Sequence, residues 1–291
     1  MKKALVIFSP GAGLSVRQDV RLEIDEKLKS AGFEADWFVL DSKFEEKILA
    51  HDMSVCEMVV AVGGDGTVKV AARTILQNKI NIPLLIIPFG SANVIAVTLG
   101  IPTNIKSALK LLTSKKTMAI DVGIINNLHY FLVGFSVGYI SKIVTGTSKN
   151  LKSKFGFFGY PLRFIFNRIR IKKIKFEVKT KNRTFWVKGN SLIIFNAFNY
   201  YGFQSKKQIS LTDGILNLYV FTSKTFLSLI EAFFYVLLFQ KPPRHVFSLD
   251  NNYFKLHLRH GRKSCQIDGD YIELPPDIEL RVLPSALKIV V

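Results

Sequence analysis

A unit repeated through residues 1–120 constrains this chain most: a short apolar run, a glycine-containing loop, then a stretch with helical periodicity. Ala4–Phe8 runs into Ser9-Pro10-Gly11-Ala12-Gly13, after which Val16, Val20, Ile24 and Leu28 recur every four residues, one face of a helix. Met58–Val62 closes on Gly63-Gly64, and Val68, Ala71, Ala72 and Ile75 form the apolar face of the helix that follows. Leu84–Ile87 closes on Pro88-Phe89-Gly90 and leads into a helix from Ala92 to Leu99. Strands alternating with helices predict an α/β fold, a mostly parallel sheet with helices packed on both faces. In such sheets ligands bind beyond the carboxyl ends of the strands, and all three glycine-containing loops fall there.

From Gly123 onward the texture changes to short β-rich runs: Tyr130–Ser136, Lys173–Lys179, Thr184–Val187, Leu192–Phe195, Leu216–Phe221, Phe254–Leu258 and Ser264–Ile267. They predict an antiparallel second domain, interrupted by helices near Ser153–Arg168 and Thr225–Phe239. The expected division is an α/β domain over 1–122 and a β-rich domain over 123–275. No repeat and no low-complexity linker separates them.

Charge sharpens the division. The chain carries a formal +18, yet residues 1–130 hold 15 basic and 13 acidic side chains, whereas residues 131–291 hold 25 and 9. An excess confined to one half points to an anionic partner there, a membrane surface or another polyanion. Within 142–188 there are 14 Lys or Arg and one acid, Glu177, interleaved with Phe155, Phe157, Phe158, Tyr160, Phe164, Ile165 and Phe166. That mixture suits the headgroup layer of an anionic membrane; a buried helix beside solvated basic strands is the plainer alternative. No nucleic-acid motif accompanies the charge. Phe226 to Phe239 is apolar but interrupted by Glu231, and it falls short of the ~18 residues a spanning helix needs. Cys56 and Cys265 have no metal-type spacing and read as buried thiols of a reducing compartment. The expected location is cytoplasmic, peripheral to the inner face of the membrane.

Gly63-Gly64-Asp65-Gly66-Thr67 is the most informative segment. Three glycines in four positions let backbone N–H groups approach an anion without Cβ clashes, and the helix that starts there favours negative charge at its N-terminus. A carboxylate among such amides makes sense as a magnesium-linked or network group. A strand-to-helix turn using glycine for geometry alone is the alternative. Asp268-Gly269-Asp270 likewise allows a plain hairpin turn.

These segments together resemble the diacylglycerol kinase catalytic-domain family, which includes bacterial lipid kinases and sphingosine kinases. The matches follow in order: Gly63-Gly64-Asp65-Gly66-Thr67, Pro88-Phe89-Gly90-Ser91-Ala92-Asn93-Val94-Ile95-Ala96 with Leu99-Gly100-Ile101-Pro102, Ile120-Asp121-Val122-Gly123, Asp213-Gly214-Ile215-Leu216 and Ile267-Asp268-Gly269-Asp270. The resemblance implies an α/β domain followed by a β-sandwich domain, with residues 276–291 returning to the first. It implies a lipid kinase using ATP and Mg²⁺ on a lipid alcohol, most simply a diacylglycerol-like lipid. Gly63, Gly64, Asp65, Gly66 and Thr67 would hold phosphates and catalytic metal with Gly90, Ser91 and Asn93, while Ser9, Gly11 and Gly13 would contact the adenosine. Asp213 would hold a structural magnesium. Asp270 would take the proton from the lipid hydroxyl, with Asp268 beside it.

Some positions depart from the family pattern. Ser9 stands in place of Asn, Val68-Lys69 in place of Asn-Glu, and Asp270 in place of Glu. Gly138-Tyr139-Ile140-Ser141 lacks an Asp, and Tyr200-Tyr201-Gly202-Phe203 replaces a glycine-rich loop. A catalytically silent relative that binds membrane and nucleotide is therefore a second expectation, and a soluble kinase of the NAD-kinase type a third. The oligomeric state is left open, a homodimer included.

Overall fold

The computed structural model describes residues 1–9, 18–41, 44–114, 116–146, 173–198, 210–239, 242–258 and 263–291. The chain divides into two compact units, Met1–Ile120 with Ser285–Val291, and Asp121–Pro284.

The first unit opens with strand β1 (Lys2–Phe8), helix α1 (Gln18–Ser30) and β2 (Phe33–Val39). After α2 (Glu46–Ser54) come β3 (Met58–Gly63), α3 (Asp65–Gln77), β4 (Leu84–Pro88) and the short helices α4 (Val94–Thr98), α5 (Ile105–Leu109) and α6 (Leu111–Ser114). The strands pair in parallel in the order β2-β1-β3-β4. β1, β3 and β4 are apolar on both faces because both are covered. Ala4, Val6, Val60, Val62, Leu85 and Ile87 bury one face with Val20, Ile24 and Leu28 of α1. Helix α3 packs on β3, β1 and β4, burying Val68, Ala71, Ala72 and Ile75. Edge strand β2 has no full apolar run, only alternating half-exposure, so its sequence carries a weak strand signal.

The second unit follows β5 (Thr117–Ile125), β6 (His129–Phe131), β7 (Gly134–Gly138) and α7 (Tyr139–Gly146). It continues through β8 (Ile174–Lys179), β9 (Thr184–Gly189), β10 (Ser191–Phe195), β11 (Leu216–Phe221) and helix α8 (Phe226–Phe239). The last strands are β12 (Val246–Asn251), β13 (Tyr253–Leu258), β14 (Lys263–Ile267), β15 (Asp270–Leu274) and β16 (Asp277–Val290), whose final residues belong to the first unit and lie parallel to β4 at Ile289 and Leu84. One antiparallel sheet has the order β12-β11-β10-β7-β14-β15. A second layer pairs β16, β13, β8 and β9, also antiparallel. Alternate residues from the two layers meet in one core: Phe135, Leu192, Leu218 and Cys265 from the first sheet, Phe176, Phe254, Leu256 and Leu280 from the second. Cys56 and Cys265 are buried, and burial pushes the Cys265 thiol up to about 12. The architecture is thus an α/β unit with a mostly parallel sheet plus an antiparallel β-sandwich unit.

Two local expectations need correction. The run Tyr130–Ser136 is not one strand but β6 and β7 separated at Leu132-Val133, because a distant carboxylate takes up the amides there (below). The helix expected from Ala92 begins at Val94, since Asn93 adopts a left-handed backbone (φ 48°). The helix expected near Ser153–Arg168 lies outside the described residues.

Candidate functional site

The sheet of the first unit reverses its winding at β1. Strand β2 lies on one side of β1 and β3 on the other, so the loops after β1 and β3 diverge and leave a crevice beyond the strand ends. Ser9 follows β1; Gly11 and Gly13 lie outside the described residues. Gly63 and Gly64 end β3 on the other side, and Gly90 follows β4.

The loops after β3 and β4 touch backbone to backbone. A Cβ at Gly90 would sit 2.5 Å from the Gly64 Cα, and one at Gly64 would sit 3.2 Å from the Gly90 Cα. A side chain at Gly90 forces the loops apart, and one at Gly64 is tight. The amide of Phe89 donates to the Gly63 carbonyl at 2.8 Å. Asn93 folds over the second loop: its Oδ1 accepts from the Gly90 amide at 3.0 Å and its Nδ2 donates to the Gly90 carbonyl at 2.8 Å. Ser91 is exposed between them.

Asp65 is the first residue of α3, and its Oδ1 accepts from the Ile95 amide at 2.8 Å. The carboxylate therefore ties the start of α3 to the start of α4, and Oδ2 is the oxygen left for another role. Thr67 is buried, and a Cβ at Gly63 would run into its side chain. Gly66 differs. It is exposed, and a Cβ there would meet no atom of the protein within 4 Å. The Thr67 amide donates to the Gly64 carbonyl at 3.0 Å, and the amides of Asp65 and Gly66 ahead of it stand at the positive end of the helix dipole. An anion of phosphate size fits that chemistry.

In the second unit, Asp268 and Gly269 are the two central residues of a hairpin between β14 and β15, both with positive φ (46° and 89°), and Ile267 faces Asp270 across it. The hairpin reading and a functional reading are therefore compatible. The Asp268 carboxylate accepts three backbone amides, Leu132 at 2.8 Å on Oδ2, and Val133 at 2.9 Å and Gly134 at 2.8 Å on Oδ1. Its own amide donates to the Gly134 carbonyl at 2.9 Å. Such a carboxylate clamps the break between β6 and β7. Asp270, two residues on, is exposed. The clamp fixes where Asp270 stands.

Asn196 was not singled out from the sequence, yet it completes this clamp. Its Nδ2 donates to the carbonyls of Asp121 (2.9 Å) and Leu132 (3.0 Å), while its amide donates to Val133. Its buried Oδ1 has no partner. The signal for it was a polar residue placed directly after the apolar run of β10.

Asp213 sits in an Asx-type turn, its Oδ1 accepting from Ile215 at 3.0 Å. Desolvation pushes its carboxyl above the usual range, and the carboxylates of Asp121 and Asp250 add to the effect. Asp121 is 2% exposed and its Oδ2 accepts from the Gly214 amide at 2.6 Å. Among the described residues no three His, Cys, Asp or Glu side chains converge as a metal cluster. The donors fit Mg²⁺ only in its usual manner, one or two carboxylates completed by carbonyls, water or phosphate oxygens.

Comparison with known proteins agrees with this geometry. Residues 3–125 match the diacylglycerol kinase catalytic domain. The chain is 27% identical over 235 residues to a "probable lipid kinase YegS-like" protein of Klebsiella pneumoniae, covering 80% of this chain and 77% of that one. It is 29% identical over 237 residues to its counterpart in Salmonella arizonae, with the same coverage. A Bacillus anthracis structure described as a diacylglycerol kinase superposes with a TM-score of 0.76 at 21% identity, covering 99% of this chain and 96% of that one.

Two predictions follow from the loops and the clamp. Gly66→Ala leaves the fold intact and raises its stability by up to about 1 kcal/mol, as helical Gly→Ala does. Gly90→Ala loses several kcal/mol, because backbone must move; urea titration separates the two. Asp268→Asn strips the clamp of its charge and costs about 1–3 kcal/mol, whereas Asp270→Asn at an exposed site stays within about 0.5 kcal/mol of the parent. Residues 3–125 thus match the diacylglycerol kinase catalytic domain, and proteins named probable lipid kinases align with 80% of the chain.

Proposed function

We propose that this chain is an ATP-dependent lipid kinase that phosphorylates the hydroxyl of a diacylglycerol-like lipid at the cytoplasmic face of a membrane. The observation that carries the reading is the contact of Gly64 with Gly90, which places two glycine loops side by side at the N-terminus of α3 with Gly66 open to solvent. Phosphoryl transfer asks for positioning and charge neutralisation more than for covalent help from the protein. The opening amides of α3 and the Gly90–Asn93 loop supply both to a triphosphate. Asp65 remains anchored on the Ile95 amide through Oδ1. Oδ2 of Asp65 would face Mg²⁺ bound with the nucleotide, and Asp213 would hold a structural ion; when bound, the metal neutralises phosphate charge.

In the transfer, the lipid hydroxyl oxygen forms a bond to the γ-phosphorus as the bond to the β,γ-bridging oxygen breaks. ADP leaves with the electron pair, and the hydroxyl proton passes to the Asp270 carboxylate. Asp has one methylene fewer than Glu, a difference in reach of roughly 1.3–1.5 Å. The rigidity of the Asp268 clamp is what fixes the position of the shorter acid.

The test is transfer of labelled γ-phosphate from ATP to a panel of lipids in mixed micelles, with NAD as a control acceptor. The expected result is a labelled lipid, with kcat about 10²–10⁴-fold lower in Asp270→Asn at unchanged stability. Gly66→Ala, although folded, weakens nucleotide binding. Labelled NAD with unlabelled lipids would place the chain with soluble nucleotide kinases, and no labelled product would overturn the kinase reading.

A further inference from the structure

Helix α8 is apolar on both sides. Leu229, Ala232, Phe233, Val236 and Leu237 are buried on the side that packs against β11. On the opposite side Leu227, Ile230, Phe234, Tyr235, Leu238 and Phe239 recur at spacings of three and four, with Glu231 the only charged residue of the helix. A helix that is apolar all round is ordinarily buried all round. Here Leu227 is 75% exposed, Phe239 52% and Tyr235 42%, and the rings of Tyr235 and Phe239 lie 4.8 Å apart. Single exposed apolar residues are ordinary; several grouped along one helix face mark an interaction surface, here interrupted by the exposed Glu231 between Leu227 and Tyr235.

The occupant follows from length and charge. Fourteen residues rise about 21 Å, short of the ~30 Å hydrocarbon layer, and no helix among the described residues is long and apolar enough to cross a membrane. Exposed basic groups bracket the helix, Lys224 before it and Arg244 after it, within a half-chain of 25 basic and 9 acidic side chains. A second copy would bring the same +18 against itself, whereas an anionic bilayer complements both the apolar stripe and the charge. Tyr235 offers a ring with a polar tip, as suits the headgroup boundary.

We propose that the outer face of α8 lies flat on an anionic lipid bilayer, with Leu227, Tyr235 and Phe239 in the boundary between headgroups and acyl chains. The inference deepens the lipid-kinase reading and rests on it for its purpose, since the enzyme must meet a substrate that stays in the membrane. Its physical test needs no turnover.

Flotation with phosphatidylcholine vesicles, with and without phosphatidylglycerol, reads binding directly. The protein should float with the anionic vesicles, and Leu227→Ser with Phe239→Ser should lower the partition roughly tenfold for each side chain. Lys224→Glu and Arg244→Glu should each cost about fivefold and flatten the salt dependence. A Tyr235→Trp variant should be quenched by lipids brominated on their acyl chains. Lipid-independent behaviour of the parent, unchanged partition of the Leu227/Phe239 variant, or absence of quenching would each overturn the proposal. So would a dimer in lipid-free buffer that the Leu227/Phe239 variant breaks, since a second copy would then cover the face. Turnover on a short-chain, water-soluble diacylglycerol should survive in that variant while turnover on vesicles falls. If vesicles bind through α8 and no lipid is ever phosphorylated, the kinase reading fails and the docking surface stands.

Discussion

The approach of the Gly64 and Gly90 backbones is the constraint on which the candidate phosphate site depends. Two strands of a parallel sheet stand at a fixed spacing, so the loops leaving neighbouring strands β3 and β4 meet only if Gly90 carries no side chain at the crossing, where one at Gly64 is tight. Once they meet, the remainder follows. The Ile95 amide reaches the Asp65 carboxylate, and Asn93 closes the second loop on Gly90. Gly66 then stands apart as a glycine that the protein's own packing does not require.

The second unit uses the opposite device. No close approach of glycines holds the hairpin of β14 and β15; a single carboxylate does, by collecting three amides from the break between β6 and β7. Charge-assisted bonds of this kind are about twice as strong as neutral ones, and three on one side chain leave little freedom. Asn196 holds the carbonyl side of the same break. The break is therefore stabilised from both directions, and the exposed Asp270 inherits its rigidity.

The sequence made much of this legible, for physical reasons that differ by element. Strands β1, β3 and β4 are buried on both faces, so their apolar runs were visible without alternation, and glycine marked each loop. β2 and β15 are half-exposed, and their patterns carry little apolar signal. The split between β6 and β7 was hidden because its cause lies 134 to 136 positions away in Asp268, and no local pattern encodes a distant carboxylate. The same distance hid the clamping role of Asp268. Helix α8 showed its apolar length in sequence, but only exposure separates a stripe facing β11 from one facing outward.

The most direct measurement of the central claim is amide hydrogen exchange with and without a non-hydrolysable ATP analogue and Mg²⁺. The account predicts added protection at Asp65, Gly66 and Thr67 and at Gly90 and Ser91, lost in Gly66→Ala at unchanged global stability. Nucleotide binding that leaves both loops unprotected, or protection that survives Gly66→Ala undiminished, would contradict it.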